Sequence, residues 1–222
     1  MEPAAAVTRF DAILTRDSLD LEAGWRAAVA RNDMALPLTR KSDRASRDSL
    51  LLRAQVDARR AVRLAPNDAR ALFALGLVLG NTALTKGNKE KVRMATEIRS
   101  LALRAIAADS SHDGAHHLLG RWNYEVMSLS GFERFIAKRI LGGGIFGQAS
   151  WEEARKDLER AVSLDPGRIY HRLDLARVLV ARKETAAARV ELRRIAELPD
   201  RVAADSTYRR QAVELLASLR AS

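Results

Sequence analysis

Cysteine is absent from the 222 residues, which excludes a disulfide, a thiolate metal site and a cysteine nucleophile and leaves the redox compartment open. Prolines number only five and aromatic residues make up 5%. No aromatic side chains interleave with the basic ones as a base-stacking surface requires, so the reading is against nucleic acid. No apolar run approaches the ~20 residues that cross a bilayer, so no transmembrane segment is expected. Met1 to Phe10 lacks the basic-then-apolar order of a secretory signal, with Arg9 and Asp11 interrupting it. The expectation is a soluble chain, cytoplasmic unless an N-terminal leader has been removed. Strand signals are missing too, since no alternating run is bounded by a hairpin turn.

What is present is Ala, Leu and Arg. Hydrophobic residues reach 47% and charged residues 30%, with a formal charge of +10, a mixture that suits a globular helical protein. The charge is uneven. Residues 1–50 hold eight basic and eight acidic side chains, whereas residues 51–150 hold fifteen and eight. A basic middle attracts anionic partners or lipid; it is equally what solvated helix faces look like in an arginine-rich chain.

Apolar spacing decides the fold. Ala54, Ala58 and Ala61 fall at i, i+4 and i+7, one stripe of a helix. Pro66 follows, and Leu75-Gly76 lie fourteen and fifteen residues after Ala61. Ile98, Ala102 and Ala105 repeat the stripe, with Leu119-Gly120 at the same distance beyond. Ala154, Leu158 and Ala161 repeat it again, followed by Pro166 and Leu175-Ala176; Ala188, Leu192 and Ile195 begin a fourth copy, followed by Pro199. Small residues let two antiparallel helices approach closely, and proline ends a helix and tolerates the first turn of the next. From Ala161 to Ile195 the step is 34 residues, the tetratricopeptide period. The earlier steps are 44 and 56 residues, which places insertions near 81–92 and 128–149.

The expected fold is all-α, a tetratricopeptide-like helical-repeat solenoid (an α-α superhelix) of about eleven helices. Caps and breakers place these at 4–16, 18–32, 44–65, 68–85, 90–108, 113–128, 132–141, 150–164, 168–182, 185–197 and 204–220. Ser150 to Glu153 reads as a capping box, Asn67 and Asp68 as caps after Pro66. Residues 1–43 form N-terminal helices packed on a repeat domain spanning 44–222. The last helix, with Ala212, Leu215, Leu216 and Leu219 on one face, is the terminal cap a solenoid needs.

More specific elements run from Gly87 to Leu141. Gly87-Asn88-Lys89-Glu90-Lys91-Val92 leads into the helix of Ile98. His116-His117-Leu118-Leu119-Gly120-Arg121-Trp122-Asn123-Tyr124-Glu125-Val126 follows, then Leu129-Ser130, Phe132-Glu133-Arg134 and Ile136-Ala137-Lys138. With Trp151-Glu152-Glu153-Ala154 and the closing Ala212-Val213-Glu214-Leu215-Leu216, roughly residues 50–220 resemble the regulator of microtubule dynamics family, a tetratricopeptide-like group with bacterial relatives. The resemblance implies a helical-repeat domain for protein or membrane association, without known catalysis. One eukaryotic branch is implicated in organelle contacts and phospholipid binding. No membrane anchor is expected in these residues, and the Ala- and Arg-rich composition looks bacterial. A literal microtubule role is therefore not carried over.

Several patterns invite chemistry and are weighed against plainer roles. Gly142 to Gly147 formally contains G-x-G-x-x-G, but a dinucleotide site needs a strand before it and a helix after it, and the preceding segment is helical in pattern. The glycines read instead as a turn. His112 and His116 are four apart, with His117 adjacent; no third ligand follows by spacing, so no metal and no cofactor is expected. Phe132, Phe135, Ile136, Ile140 and Leu141, with Arg134, Lys138 and Arg139 nearby, make a basic amphipathic segment that either lies on an anionic membrane or packs on a helix pair. The most distinctive cluster is Arg121, Trp122, Tyr124 and Glu125. Arg121 either meets a partner's carboxylate or phosphate, or pairs with Glu125 at i, i+4 and with Glu133 locks the insertion helix.

No residue is assigned a catalytic role: no Ser–His–Asp set, paired carboxylates or phosphate loop emerges. The expected function is a non-catalytic scaffold holding a protein or peptide on the concave face, with Arg121, Tyr124, Glu125 and Arg172 as its contacts. The alternative is binding or carriage of an apolar ligand such as a phospholipid. The positions expected to be structural are Ala54, Ala61, Leu75, Gly76, Ala105, Leu119, Gly120, Ala154, Ala161 and Leu175.

Overall fold

A computed structural model describes residues 2–130, 144–202 and 204–219, and every regular element among them is helical. The α-helices are α1 (Pro3–Arg16), α2 (Leu21–Ala35), α3 (Arg44–Leu64), α4 (Ala69–Ala83), α5 (Asn88–Ala108), α6 (Asp113–Ser128), α7 (Trp151–Leu164), α8 (Ile169–Ala181), α9 (Thr185–Glu197) and α10 (Asp205–Ser218). Short 3₁₀ turns occupy Lys41–Asp43 and Gly144–Gln148. The eleventh helix expected at 132–141, with its basic amphipathic face, lies outside the described residues. No helix of the described residues is long and apolar enough to cross a membrane.

Two helix starts follow caps read from the sequence. Asp68 accepts the backbone N–H groups of Arg70 and Ala71 at 3.0 Å each, and Ser150 accepts that of Glu153 at 3.0 Å. The second helix, expected at 18–32, starts three residues later, at Leu21. Asp17 takes the N–H of Leu19 at 2.9 Å, and Asp20 takes that of Ala23 at 2.7 Å, so Asp20 is the cap.

The chain divides into two compact units, Met1–Ser110 and Ser111–Ser222. In the first, α2 lies on α3 along small residues: Ala23, Gly24, Ala27 and Ala28 on one side, Ala54, Ala58 and Ala61 on the other, all buried. Arg31 of α2 is 3% exposed and joins Asp11 of α1 to Asp57 of α3, the latter at 2.7 Å. Asn81 of α4 donates to Asn32 of α2 at 2.7 Å, and Arg59 of α3 grips Glu97 of α5 through two bonds of 2.7 and 3.1 Å. Leu72, Leu75, Gly76, Val78 and Leu79 of α4 and Ile98, Ala102 and Ala105 of α5 complete the core. At 21 residues α5 exceeds α7, with 14.

In the second unit α6 crosses α7 at Gly120. A Cβ there would lie 2.7 Å from Cγ of Leu158, 3.0 Å from the Ala154 carbonyl oxygen and 3.1 Å from the Leu158 nitrogen. Only glycine permits so close an approach. Ala154, Leu158 and Ala161 are each 0% exposed beneath this crossing, and Leu119 is 9% exposed beside it. Leu173, Leu175 and Ala176 of α8 pack with Ala188, Leu192 and Ile195 of α9, and Ala212 and Leu219 of the last segment close the same core. All twelve side chains of the four stripes are therefore buried. Helix α8 ends in a Schellman motif: Lys183, at φ 64°, donates to Val180 O at 2.9 Å while Glu184 donates to Leu179 O at 2.8 Å.

Candidate partner-binding face

The second unit concentrates polar and aromatic side chains where α6 faces α8. Asp174 is the centre. It is 6% exposed, and its Oδ1 accepts from Nη1 of Arg121 at 2.7 Å and from Nη1 of Arg177 at 2.5 Å. Its Oδ2 lies 3.3 Å from Nε2 of His117. Burial pushes the Asp174 carboxyl up, but Arg121, then His117 and Arg177, more than offset this and hold it far below the usual carboxylate range. Arg121 continues outward: Nε and Nη2 both donate to Oε1 of Glu125, at 2.8 and 2.5 Å. Burial lowers the Arg121 pKa, and the two carboxylates override it and raise it. The guanidinium also lies 5.4 Å from the ring centre of Tyr124.

His117 is kept neutral. Its burial, opposed by Asp174, brings its pKa down to about 3. With Nε2 turned to the carboxylate, that nitrogen carries the proton and Nδ1 is left as a bare acceptor. Nδ1 is buried and makes no hydrogen bond among the described residues. His171, 0% exposed, stands 4.9 Å away between ring centres, with Nε2 2.9 Å from Oδ2 of Asp113. Asp113 would be raised by burial, but the His171 contact, the Gly114 N–H and Arg168 draw it down to about 2.

Around this core the aromatic rings assemble. Tyr170 meets His117 edge-on at 4.7 Å and lies 5.9 Å from Tyr208 of α10, while Tyr124 meets Trp151 at 5.9 Å. All three tyrosines of the chain are half-buried.

The residues expected at a binding site fall in two places. Arg121, Tyr124 and Glu125 come together here. Arg172 does not join them: it is buried, donating to Glu191 at 2.5 Å and to Pro166 O at 3.0 Å, and so ties α8 to α9. The internal pairing of Arg121 with Glu125 is present; Glu133 lies outside the described residues. The three neighbouring histidines diverge. His112 caps α6 by accepting from Ala115 N at 3.2 Å, His116 lies 3.2 Å from Asp157, and His117 faces Asp174. Among the described residues no three His, Asp or Glu side chains are arranged to hold a metal ion. Of the glycine-rich loop, Gly144–Gln148 is a 3₁₀ turn that sets Phe146 parallel to Trp122, 6.2 Å away; residues 142 and 143 lie outside the described residues.

Sequence reasoning missed Asp113, Asp174 and His171, whose partners lie more than fifty positions away. It also missed the buried pair Asp57 and Asp157, both raised by burial. For these a signal existed: each stands three residues after the first alanine of its stripe, Ala54 and Ala154.

Comparison with known proteins agrees with the fold. A thermophilic TPR protein from Thermus thermophilus superposes with a TM-score of 0.65 at 16% identity, covering 97% of this chain and 91% of that one. The all-α architecture is thus the tetratricopeptide-like helical-repeat class. Regulator of microtubule dynamics protein 3 from Mus musculus is 24% identical over 196 residues, and that from Bos taurus 25%. Those matches take in 86% of this chain but only 40% of each relative. The model of the family "Regulator of microtubule dynamics protein 1-3" matches residues 3–220, and the chain belongs to that family.

Proposed function

We propose that this chain is a non-catalytic interaction module that holds a protein or peptide partner against the face of α6 and α8. These are the first helices of successive pairs, the side that is concave in helical-repeat stacks. One observation carries the reading: Tyr124 stands beside Arg121 and Trp151, and Tyr170 beside Tyr208, all half-buried. Tyr, Trp and Arg dominate interface hot spots because each offers a large rigid area with a polar end. The network behind them supplies rigidity, so little side-chain freedom is lost on binding. Its guanidinium and carboxylate groups engage one another, the arrangement of a scaffold.

The microtubule role in the mouse relative's name is not transferred, because the match covers only 40% of that protein. The test is affinity purification from the native organism with wild-type chain and a Tyr124→Ala/Tyr170→Ala variant, read by quantitative mass spectrometry. A partner lost at least tenfold from the folded variant is expected. Equal recovery on both baits would refute the face. Native mass spectrometry adds a second arm: a stoichiometric lipid on the wild-type chain would favour carriage of an apolar ligand instead.

A further inference from the structure

We infer that the first unit carries a docking surface of its own, the outer side of α3 beside α5, and that its occupant is an acidic amphipathic helix of a partner protein. This surface is separate from the α6–α8 face and does not depend on it.

The two helices run side by side. Arg59 of α3 holds Glu97 of α5, and Arg104 of α5 donates to the carbonyl of Pro66, just beyond α3, at 2.6 Å. Both contacts join residues 38 positions apart, so α5 lies parallel to α3 in a single register. Ala54, Ala58 and Ala61 turn the buried side of α3 inward. On the opposite side Leu52 and Val56, one turn apart, are 65% and 53% exposed. Arg53, Arg60 and Arg63 take the adjoining surface positions, three, four and seven residues from Val56.

The positive charge of the unit is concentrated here. Together α3 and α5 hold eleven basic and four acidic residues, whereas the rest of Met1–Ser110 holds eight and nine. Adding Arg31 and the flanking acids Asp11, Asp17 and Asp109 still leaves twelve against seven. The acids on the two helices are already engaged: Glu97 by Arg59, Glu90 by Arg93, Asp48 by Arg44 and Arg47, and the buried Asp57 by Arg31. Arg60 reaches the Ser18 carbonyl at 3.2 Å and Asp57 at 3.9 Å. Arg53 meets Asp57 only through longer-range attraction. Among the described residues Arg63 has no ion pair, and Arg104 bonds to a carbonyl and to no carboxylate.

This chemistry selects among occupants. A second copy of the chain would bring like charge to like across a two-fold axis. Neither helix carries an aromatic residue, which a base-stacking strand requires and interfacial helices use among lipid headgroups. Two exposed aliphatic side chains amid guanidinium groups instead fit a helix that lays Leu or Val on them and turns Glu or Asp to the arginines. That is an apolar centre with a charged rim.

The test is selection on the full chain from a phage-displayed library of helical peptides, with Leu fixed at i and i+4 and the flanking positions varied among Glu, Lys, Ser and Gln. Glu-flanked peptides should be enriched, and their binding should weaken with added salt. Arg53→Gln/Arg63→Gln and Leu52→Ser/Val56→Ser, each melting at the wild-type temperature, should each weaken it roughly tenfold. The charge-reversed Arg53→Glu/Arg63→Glu should select Lys at the same positions, an outcome that loss of fold cannot produce. Enrichment of Lys- or Ser-flanked peptides by the wild-type chain, or unchanged binding to Arg53→Gln/Arg63→Gln, would overturn the inference. So would phosphatidylserine vesicles or oligo-dT that bind more tightly than the peptides and are lost in that same variant. Tyr124→Ala/Tyr170→Ala should bind the selected peptides as the wild-type chain does; loss there would place them on α6 and α8 and remove the case for a surface on α3.

Discussion

Replacing Gly120 with alanine adds one methyl group to a helix interior, a change that by propensity alone stabilises by about 1 kcal/mol. Here the structure reverses the sign. The new Cβ would sit 2.7 Å from Leu158 Cγ, 3.0 Å from Ala154 O and 3.1 Å from Leu158 N, whereas carbon atoms rest about 3.5–4.0 Å apart. Leu158 can turn its side chain, but the other two atoms are backbone of α7 and move only if the helices separate. Such overpacking costs about 1–3 kcal/mol, so a net loss of up to about 2 kcal/mol remains after the propensity gain. For a unit of this size that lowers the melting temperature by up to roughly 8 °C. Gly80→Ala is the matched control, since nothing lies within 4 Å of its Cβ; it should gain about 0.5–1 kcal/mol. Thermal melts by far-ultraviolet circular dichroism on the two variants isolate packing from propensity. If Gly120→Ala melts at or above the wild-type temperature, α6 and α7 do not cross where described.

Three further outcomes follow from the second unit. Because His117 titrates near 3 when folded against 6.5 ordinarily, the unfolded chain binds a proton first as pH falls. Stability therefore drops between about pH 6.5 and pH 3, by up to ~1.4 kcal/mol per pH unit from this group; Asp57 and Asp157, raised by burial, act in the opposite direction. Urea midpoints from pH 4 to 8 should fall toward acid, and the difference from His117→Gln, which should show a flatter profile, isolates this residue. Arg121→Met strips Asp174 of one buried partner and should cost about 3 kcal/mol, and Arg121→Lys should not restore it, because an ammonium cannot span both carboxylates; chemical denaturation of both variants measures this. Lys183→Gly relieves a left-handed backbone and should raise stability by about 1 kcal/mol in the same assay.

The repeat was legible because its cause is local: a small side chain every turn wherever helices cross, readable from Ala54 to Ile195 without knowing any contact. The long α5 was legible as well, expected at 90–108 and found at Asn88–Ala108. The start of α2, expected at 18 and found at Leu21, was not fixed by the sequence pattern. The polar network was illegible for a different reason. Arg121 and Asp174 are 53 residues apart, and Asp113 and His171 are 58 apart, so their meeting depends on how α8 docks beside α6. Arg121–Glu125 was visible as an i, i+4 pair; that the same guanidinium also neutralises a buried aspartate was not.

The most direct test is site-specific photo-crosslinking in the native organism, with benzoylphenylalanine placed at Tyr124 or at Val213, which is 61% exposed on α10. A discrete protein adduct from position 124, absent from position 213, is the expected result. Irradiation that yields no adduct at 124, or the same adducts at both positions, would contradict a partner held on the α6–α8 face.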